Sequence, residues 1–187
     1  VTAAVIHGAG VIMRGVSAGR VPWANMYEFS ISGSFVLVLI FLLSIGVKEI
    51  RSIAAFVTGF ALLVLGSATT IFYVQIKTLM PALQSYWLVI HVTVAVLATA
   101  FFNIAAALSV AYLLRGSAKL TASKSKALAL VRRVLTVFPD AATLDRLQKR
   151  FNAIGLILWS FTLIAGAIWA QHAWHRYWGW DLSLIHI

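Results

Sequence analysis

Apolar residues run along this chain in four long blocks, residues 31–47, 53–74, 87–114 and 151–170, separated by stretches where polar and charged residues collect. A helix needs about 20 apolar residues to cross the hydrocarbon core of a bilayer. The pattern therefore predicts an all-α fold, a multi-pass bundle of transmembrane helices. A further apolar stretch, residues 1–13, is too short to span alone and has neither a basic leader nor a small-residue cleavage site, so it reads as the end of a helix that begins upstream. The expected total is about five segments, with a loop over residues 14–29 and another over 75–86 at one side of the membrane.

Composition agrees. Of the 187 residues 61% are apolar and 11% charged, against roughly 25% charged in soluble domains. The formal charge of +10 is placed unevenly: nine basic residues from Arg115 to Arg150 share one loop, and Lys48 and Arg51 lie in the short loop two crossings away. The positive-inside rule puts those eleven in the cytoplasm. Arg14, Arg20, Lys77 and Arg176 remain for the outer side. A positive-inside loop accounts for the charge, and with no basic surface interleaved with aromatics, nucleic acid is excluded as a partner.

Within the basic loop, "SKSKALALVRRVLTVF" places Leu128, Val131, Leu135 and Phe138 at helical spacing beside Lys126, Arg132 and Arg133. That suits a short helix on the acidic inner leaflet. "PDAATLDRLQKRF" follows, with Pro139 and Asp140 as a start signal for a helix that runs on into the last span. Small residues (Gly59, Ala61, Gly66, Ser67, Ala68, Gly166 and Ala167) mark positions for close helix contact.

Candidate chemistry gathers on the outer side. Six of seven tryptophans, Trp23, Trp87, Trp169, Trp174, Trp178 and Trp180, fall there, and only Trp159 lies elsewhere. An aromatic belt is one explanation, but belts distribute indoles over both interfaces. The other is a flat apolar ligand such as a porphyrin lying against indole faces. His91 stands one helical turn beyond Trp87, on the same face and at membrane depth, where an ionisable side chain is a functional candidate or a hydrogen-bonded structural group. His7 reads as structural, near a turn at Arg14 and Gly15, while His172 and His175 lie inside the tryptophan cluster. The chain has no cysteine, so any chemistry must use other groups or a cofactor.

"WHRYWGWD" resembles the Trp-Gly-x-x-Trp-x-Trp-Asp signature of the cytochrome c assembly (WWD-domain) family, with Trp174, Trp178, Trp180 and Asp181 matching and His175 standing in place of a glycine. "RVPWANMYEFS", "MPALQSYWLVIHV", "GAIWAQHAWHRYWGWD" and "PDAATLDR" are similar to the CcsA/ResC-type subunits, called CcsB in some lineages, of the System II cytochrome c synthase. The likeness runs over essentially the whole chain. It implies cytochrome c biogenesis: a haem-handling membrane protein that presents haem at the outer face for covalent attachment to apocytochrome c. Transport of haem or another apolar solute without ligation, and a b-type haem electron carrier, stand as alternatives.

The resemblance further implies haem as cofactor, bound non-covalently or transiently, with His91 as axial ligand of the haem iron and Trp87, Trp174, Trp178, Trp180 and Asp181 around it. Arg176, His175 and Trp169 complete the set, Arg176 as a partner for a propionate. The implied partners are a ResB-like membrane subunit, apocytochrome c with its Cys-x-x-Cys-His motif, proteins of a thiol-reducing pathway and the lipid bilayer. The location is a cell membrane, or the thylakoid membrane for a plastid protein. The family continues past Asp181 with Pro-Lys-Glu and further helices, whereas "LSLIHI" follows here. Residues 1–181 are accordingly expected to form one integral membrane domain incomplete at both ends, part of a synthase and inactive alone, with 182–187 an adapter-derived scar.

Overall fold

The computed structural model describes residues 1–79, 84–117 and 136–177, the Lys48 side chain excepted. Residues 118–135, which carry most of the expected surface helix, and Trp178, Trp180, Asp181 and 182–187 lie outside the described residues. Among the described residues five α-helices follow in order: α1 (Thr2–Ala18), α2 (Met26–Ser44), α3 (Ala54–Thr70), α4 (Tyr86–Gly116) and α5 (Ala141–Trp174), with a 3-10 turn (Lys48–Ile53) joining α2 to α3. There is no strand among the described residues. Four stretches are long and apolar enough to cross a membrane: α2, the 3-10 turn with α3, α4 and α5. In hydrocarbon a helix meets its own backbone hydrogen-bonding needs, so apolar runs of this length become helices.

The chain turns back and forth between two ends. One, here called the basic end, holds residues 44–53, the end of α4 and the start of α5; the other, here called the tryptophan end, holds residues 19–25, 71–79 and 84–85 and the last residues of α5. Polar signals cap the helices. The Asn25 side chain accepts the Glu28 amide at 2.9 Å and starts α2, and Asp140 accepts the Thr143 amide at 3.0 Å and starts α5 as its sequence announced. That N–H also holds the Asp140 carboxyl below the usual carboxylate range. The 34 residues of α5 extend about 51 Å at 1.5 Å per residue, well beyond a hydrocarbon core of about 30 Å. Its first turns, with Arg146, Lys149 and Arg150, therefore reach past the apolar segment.

The hydrophobic core lies toward the basic end, where Leu37, Ile53, Ile104, Leu108 and Leu144 are buried together. The longest interface joins α4 and α5 as antiparallel neighbours. Ala98 and Ala105, within one turn of Phe102 and on its side of α4, are fully or nearly buried, and small residues there let the two backbones approach. Gly155 of α5 seats the Phe102 ring so closely that an added Cβ would lie 2.8 Å from it. By contrast α1 leans on α2 alone among its major contacts, through Gly8 against Phe35 and His7 Nε2, which donates to the Ile31 carbonyl at 2.9 Å.

Three expectations are corrected. The loop expected over residues 14–29 is shorter: α1 continues to Ala18 and α2 begins at Met26. Arg14 and Gly15 are thus helical, because the apolar face of α1 persists past the polar residues that suggested a turn. The apolar run ending at residue 74 leaves its helix at Thr70. Gly59 and Gly66 make no close contact, an added Cβ meeting nothing within 4 Å, while Ala61 and Ala68 of the same helix are buried. At 100° per residue the two glycines fall on the opposite side of α3 from those alanines.

Sequence reading also missed the polar tie at the tryptophan end. Glu28 is 0% exposed although it opens a membrane span. Its carboxylate receives Arg14 at 3.0 Å, Arg20 at 2.6 Å and the Ala24 amide at 3.0 Å. Arg14 also donates to the Val74 carbonyl at 2.9 Å and stands 5.1 Å above the Tyr27 ring. One carboxylate therefore joins α1, the loop after it, α2 and, through Arg14, the segment after α3. Replacing Glu28 with Gln leaves two guanidinium groups without their counter-charge, and removing one partner of a buried ion pair costs about 3–5 kcal/mol. The expected result is a lower midpoint in fluorescence-monitored thermal unfolding of the detergent-solubilised protein and less protein in the membrane.

Candidate functional site

At the tryptophan end the start of α4 faces the end of α5. Trp87 and His91 are four residues apart and Trp169 and His172 three apart, so each pair shares one face of its helix. Because the helices are antiparallel, the pairs meet crosswise. The Trp87 indole stacks on the His172 imidazole with centroids 6.3 Å apart and planes 11° from parallel. His91 stacks on Trp169 at 6.2 Å with the same 11°. Both separations fall in the offset-stacked range for aromatic pairs.

His91 is held more firmly than stacking alone requires. Its Nδ1 donates to the Thr162 carbonyl of α5 at 3.0 Å, and that carbonyl is an acceptor only, so the proton sits on Nδ1. In the neutral ring Nε2 is then the nitrogen with the lone pair, and none of the described residues hydrogen-bonds it. The ring rests over Gly166, where an added Cβ would come within 2.8 Å of Nδ1 and Cε1. A neutral imidazole with one nitrogen anchored and the other open is the usual form of a histidine that ligates a metal.

Trp174 is the last residue of α5 rather than part of a loop. Its Nε1 is buried and finds no acceptor among the described residues, a donor for which a buried site ordinarily supplies a partner. His175 follows with φ 57° and ψ 29°, the only non-glycine residue at positive φ among those described. The sequence placed histidine here where the resembled signature has glycine, and the backbone adopts the left-handed conformation that glycine takes most easily. Arg176 and Tyr177 are exposed beyond it.

Of the expected residues, the fold brings His91, Trp87 and Trp169 together and adds His172, which the sequence located only inside the tryptophan cluster. Trp174 stands one turn further along α5. Trp178, Trp180 and Asp181 lie outside the described residues. Trp159 is elsewhere, edge-on to Phe102. His7 is engaged with α2 rather than this site. Thr162 and Gly166 were not recognised as site residues: a backbone carbonyl leaves no mark in sequence, and Gly166 read only as a packing residue.

Comparison with known proteins gives a consistent result. The family described as "Cytochrome C assembly protein" matches residues 23–185. Similar proteins include the cytochrome c biogenesis protein CcsA of Prochlorococcus marinus, 30% identical over 199 residues, covering 96% of this chain and 63% of that protein. Those of Synechococcus elongatus (31%, covering 90% and 63%) and Fagopyrum esculentum (28%, covering 91% and 62%) are comparable. The chain thus spans a little under two thirds of the length of these relatives.

The backbone at His175 yields a direct test. A left-handed conformation costs a residue with a Cβ roughly 1–2 kcal/mol, part of which is offset by the greater freedom of glycine in the unfolded chain. His175→Gly is expected to stabilise the protein by about 0.5–1 kcal/mol, measured as a rise in the thermal midpoint. Circular dichroism should show unchanged helix content.

Proposed function

The chain belongs to the cytochrome c assembly protein family, and from that membership we propose that it serves cytochrome c biogenesis by holding haem at the tryptophan end for covalent attachment to apocytochrome c. The observation that carries this reading is His91, with Nδ1 tied to the Thr162 carbonyl and Nε2 open beside stacked indoles. In this reading His91 Nε2 would hold the haem iron. Trp87, Trp169 and Trp174, with Trp178 and Trp180, shield the apolar macrocycle from water. The Trp174 Nε1–H, without an acceptor among the described residues, offers a hydrogen bond to a carboxylate, and Arg176 offers a charge to a propionate.

These residues suit haem in three respects: an imidazole with one nitrogen open, flat apolar surfaces and a rim donor without an acceptor among the described residues. Bound haem supplies the vinyl groups to which the two thiols of a Cys-x-x-Cys-His motif add. The protein's part is to orient the ligand and exclude water, which needs no nucleophile of its own and suits a chain without cysteine. Asp181 is assigned to orienting its loop, since a carboxylate facing a propionate would be repelled. A ResB-like subunit and thiol-reducing proteins complete the proposed assembly, in a cell membrane or a thylakoid membrane, with the basic loop inside and the tryptophan end outside. The electron-carrier alternative needs a second histidine facing His91, and His7 packs against Ile31 and Phe35 of α2 rather than at this site. Transport without ligation uses the same site and is separated from synthesis by one product: covalent haem on a co-expressed apocytochrome.

Two measurements test the reading. His91→Gly removes the donor nitrogen and leaves room for free imidazole. Cytochrome c maturation should fall roughly tenfold or more, the loss of at least about 1.4 kcal/mol of binding, and should recover in part when imidazole is added. Parental maturation and an unchanged haem spectrum without imidazole would make His91 structural. For orientation, Arg176→Cys introduces the sole cysteine of this chain. It should react with an impermeant thiol reagent in intact cells or spheroplasts, and labelling only after lysis would reverse the topology.

A further inference from the structure

We infer that Gly166 and the backbone carbonyl of Thr162 are the positioning elements for His91: together they select its tautomer and aim Nε2, so that α5 orients the ligand that α4 carries. This rests on the reading of His91 as a haem-binding residue.

The geometry is specific. In an α-helix the carbonyl of residue 162 serves the amide of residue 166, and its second lone pair is normally covered by neighbouring side chains. Here residue 166 has no side chain, and the His91 ring occupies the space, 3.0 Å from the carbonyl through Nδ1. The Thr162 hydroxyl is turned away and donates to the Leu158 carbonyl at 3.0 Å, so it does not compete for the imidazole. Thr162 is 2% exposed, which keeps water from replacing the histidine as the carbonyl's partner. Trp169, one turn along α5 from Gly166, stacks against the imidazole. One ring nitrogen is thus anchored and the ring plane set by a single helix, leaving Nε2 as the nitrogen with a lone pair.

A methyl group at residue 166 removes this arrangement. It would sit 2.8 Å from both Nδ1 and Cε1, whereas carbon contacts settle near 3.5–4.0 Å, so the ring must withdraw by roughly 0.7–1.2 Å. A 3.0 Å hydrogen bond stretched by that amount passes about 3.6 Å and ceases to be one. The imidazole then keeps neither its tautomer nor its aim. Residues that orient a metal-binding histidine are worth roughly 10- to 100-fold in metal affinity.

The test uses Gly166→Ala in the genomically encoded protein, purified from membranes, with and without His91→Gly. In the presence of His91, Gly166→Ala should weaken haem retention roughly 10- to 100-fold and alter the visible spectrum of what remains. In the His91→Gly background supplied with imidazole, the untethered ligand has no ring to displace, so adding Gly166→Ala should change retention less than about twofold, well inside the 10-fold range. A readout free of haem accompanies these: nitrogen NMR of labelled histidine should show His91 protonated at Nδ1 in the parent and a mixture of tautomers in Gly166→Ala. Equal losses in both backgrounds would make Gly166 a helix-packing residue and overturn the inference. Unchanged retention, spectrum and tautomer in Gly166→Ala, with haem lost in His91→Gly, would overturn the positioning role while leaving the ligand assignment intact. Full haem retention with the parental spectrum in His91→Gly would overturn the ligand assignment and the inference with it.

Discussion

The close antiparallel contact of α4 with α5 is the constraint on which the rest depends. Within hydrocarbon, helices gain little by hiding apolar surface from each other, so association rests on tight packing and on polar contacts between them. Buried alanines on α4 and Gly155 under Phe102 supply the packing. Once the two backbones are near and their register is set, Trp87 must meet His172 and His91 must meet Trp169 at the far end of the same pair. The geometry of the site follows from the packing of the bundle rather than from a loop built to hold it.

The two ends of the molecule are stabilised differently. Toward the basic end, aliphatic side chains from α2, α3, α4 and α5 fill a common core. At the tryptophan end the contacts are polar or aromatic, the buried Glu28 with its two arginines among them. A buried ion pair seldom adds stability over an apolar replacement. What it supplies here is registry, since three segments of chain must meet in one geometry to satisfy it. His7 performs a similar service on a smaller scale by clipping α1 to α2.

Two histidines show how one residue type takes opposite parts. His91 is confined by a carbonyl, a glycine and an indole, which leaves one nitrogen available. His175 has its backbone in the left-handed region and its side chain exposed. That backbone conformation closes α5 at its C-terminal end.

Residues local to one another were legible from sequence. The runs of apolar residues determined that the chain forms membrane-spanning helices, because a backbone in lipid has few other ways to satisfy its hydrogen bonds. Asp140 announced the start of α5, and the continuity of that helix into the last span was anticipated. The spacing of Trp87 and His91 placed them on one face. Sequence could not say what that face would meet. Thr162 lies 71 residues from His91, Glu28 lies 14 from Arg14 across a turn, and α3 turned its glycines away from its neighbours. Helical periodicity specifies a direction around one axis, but a partner is chosen by the relative rotation and depth of two helices, and those are settled only when all the helices pack at once.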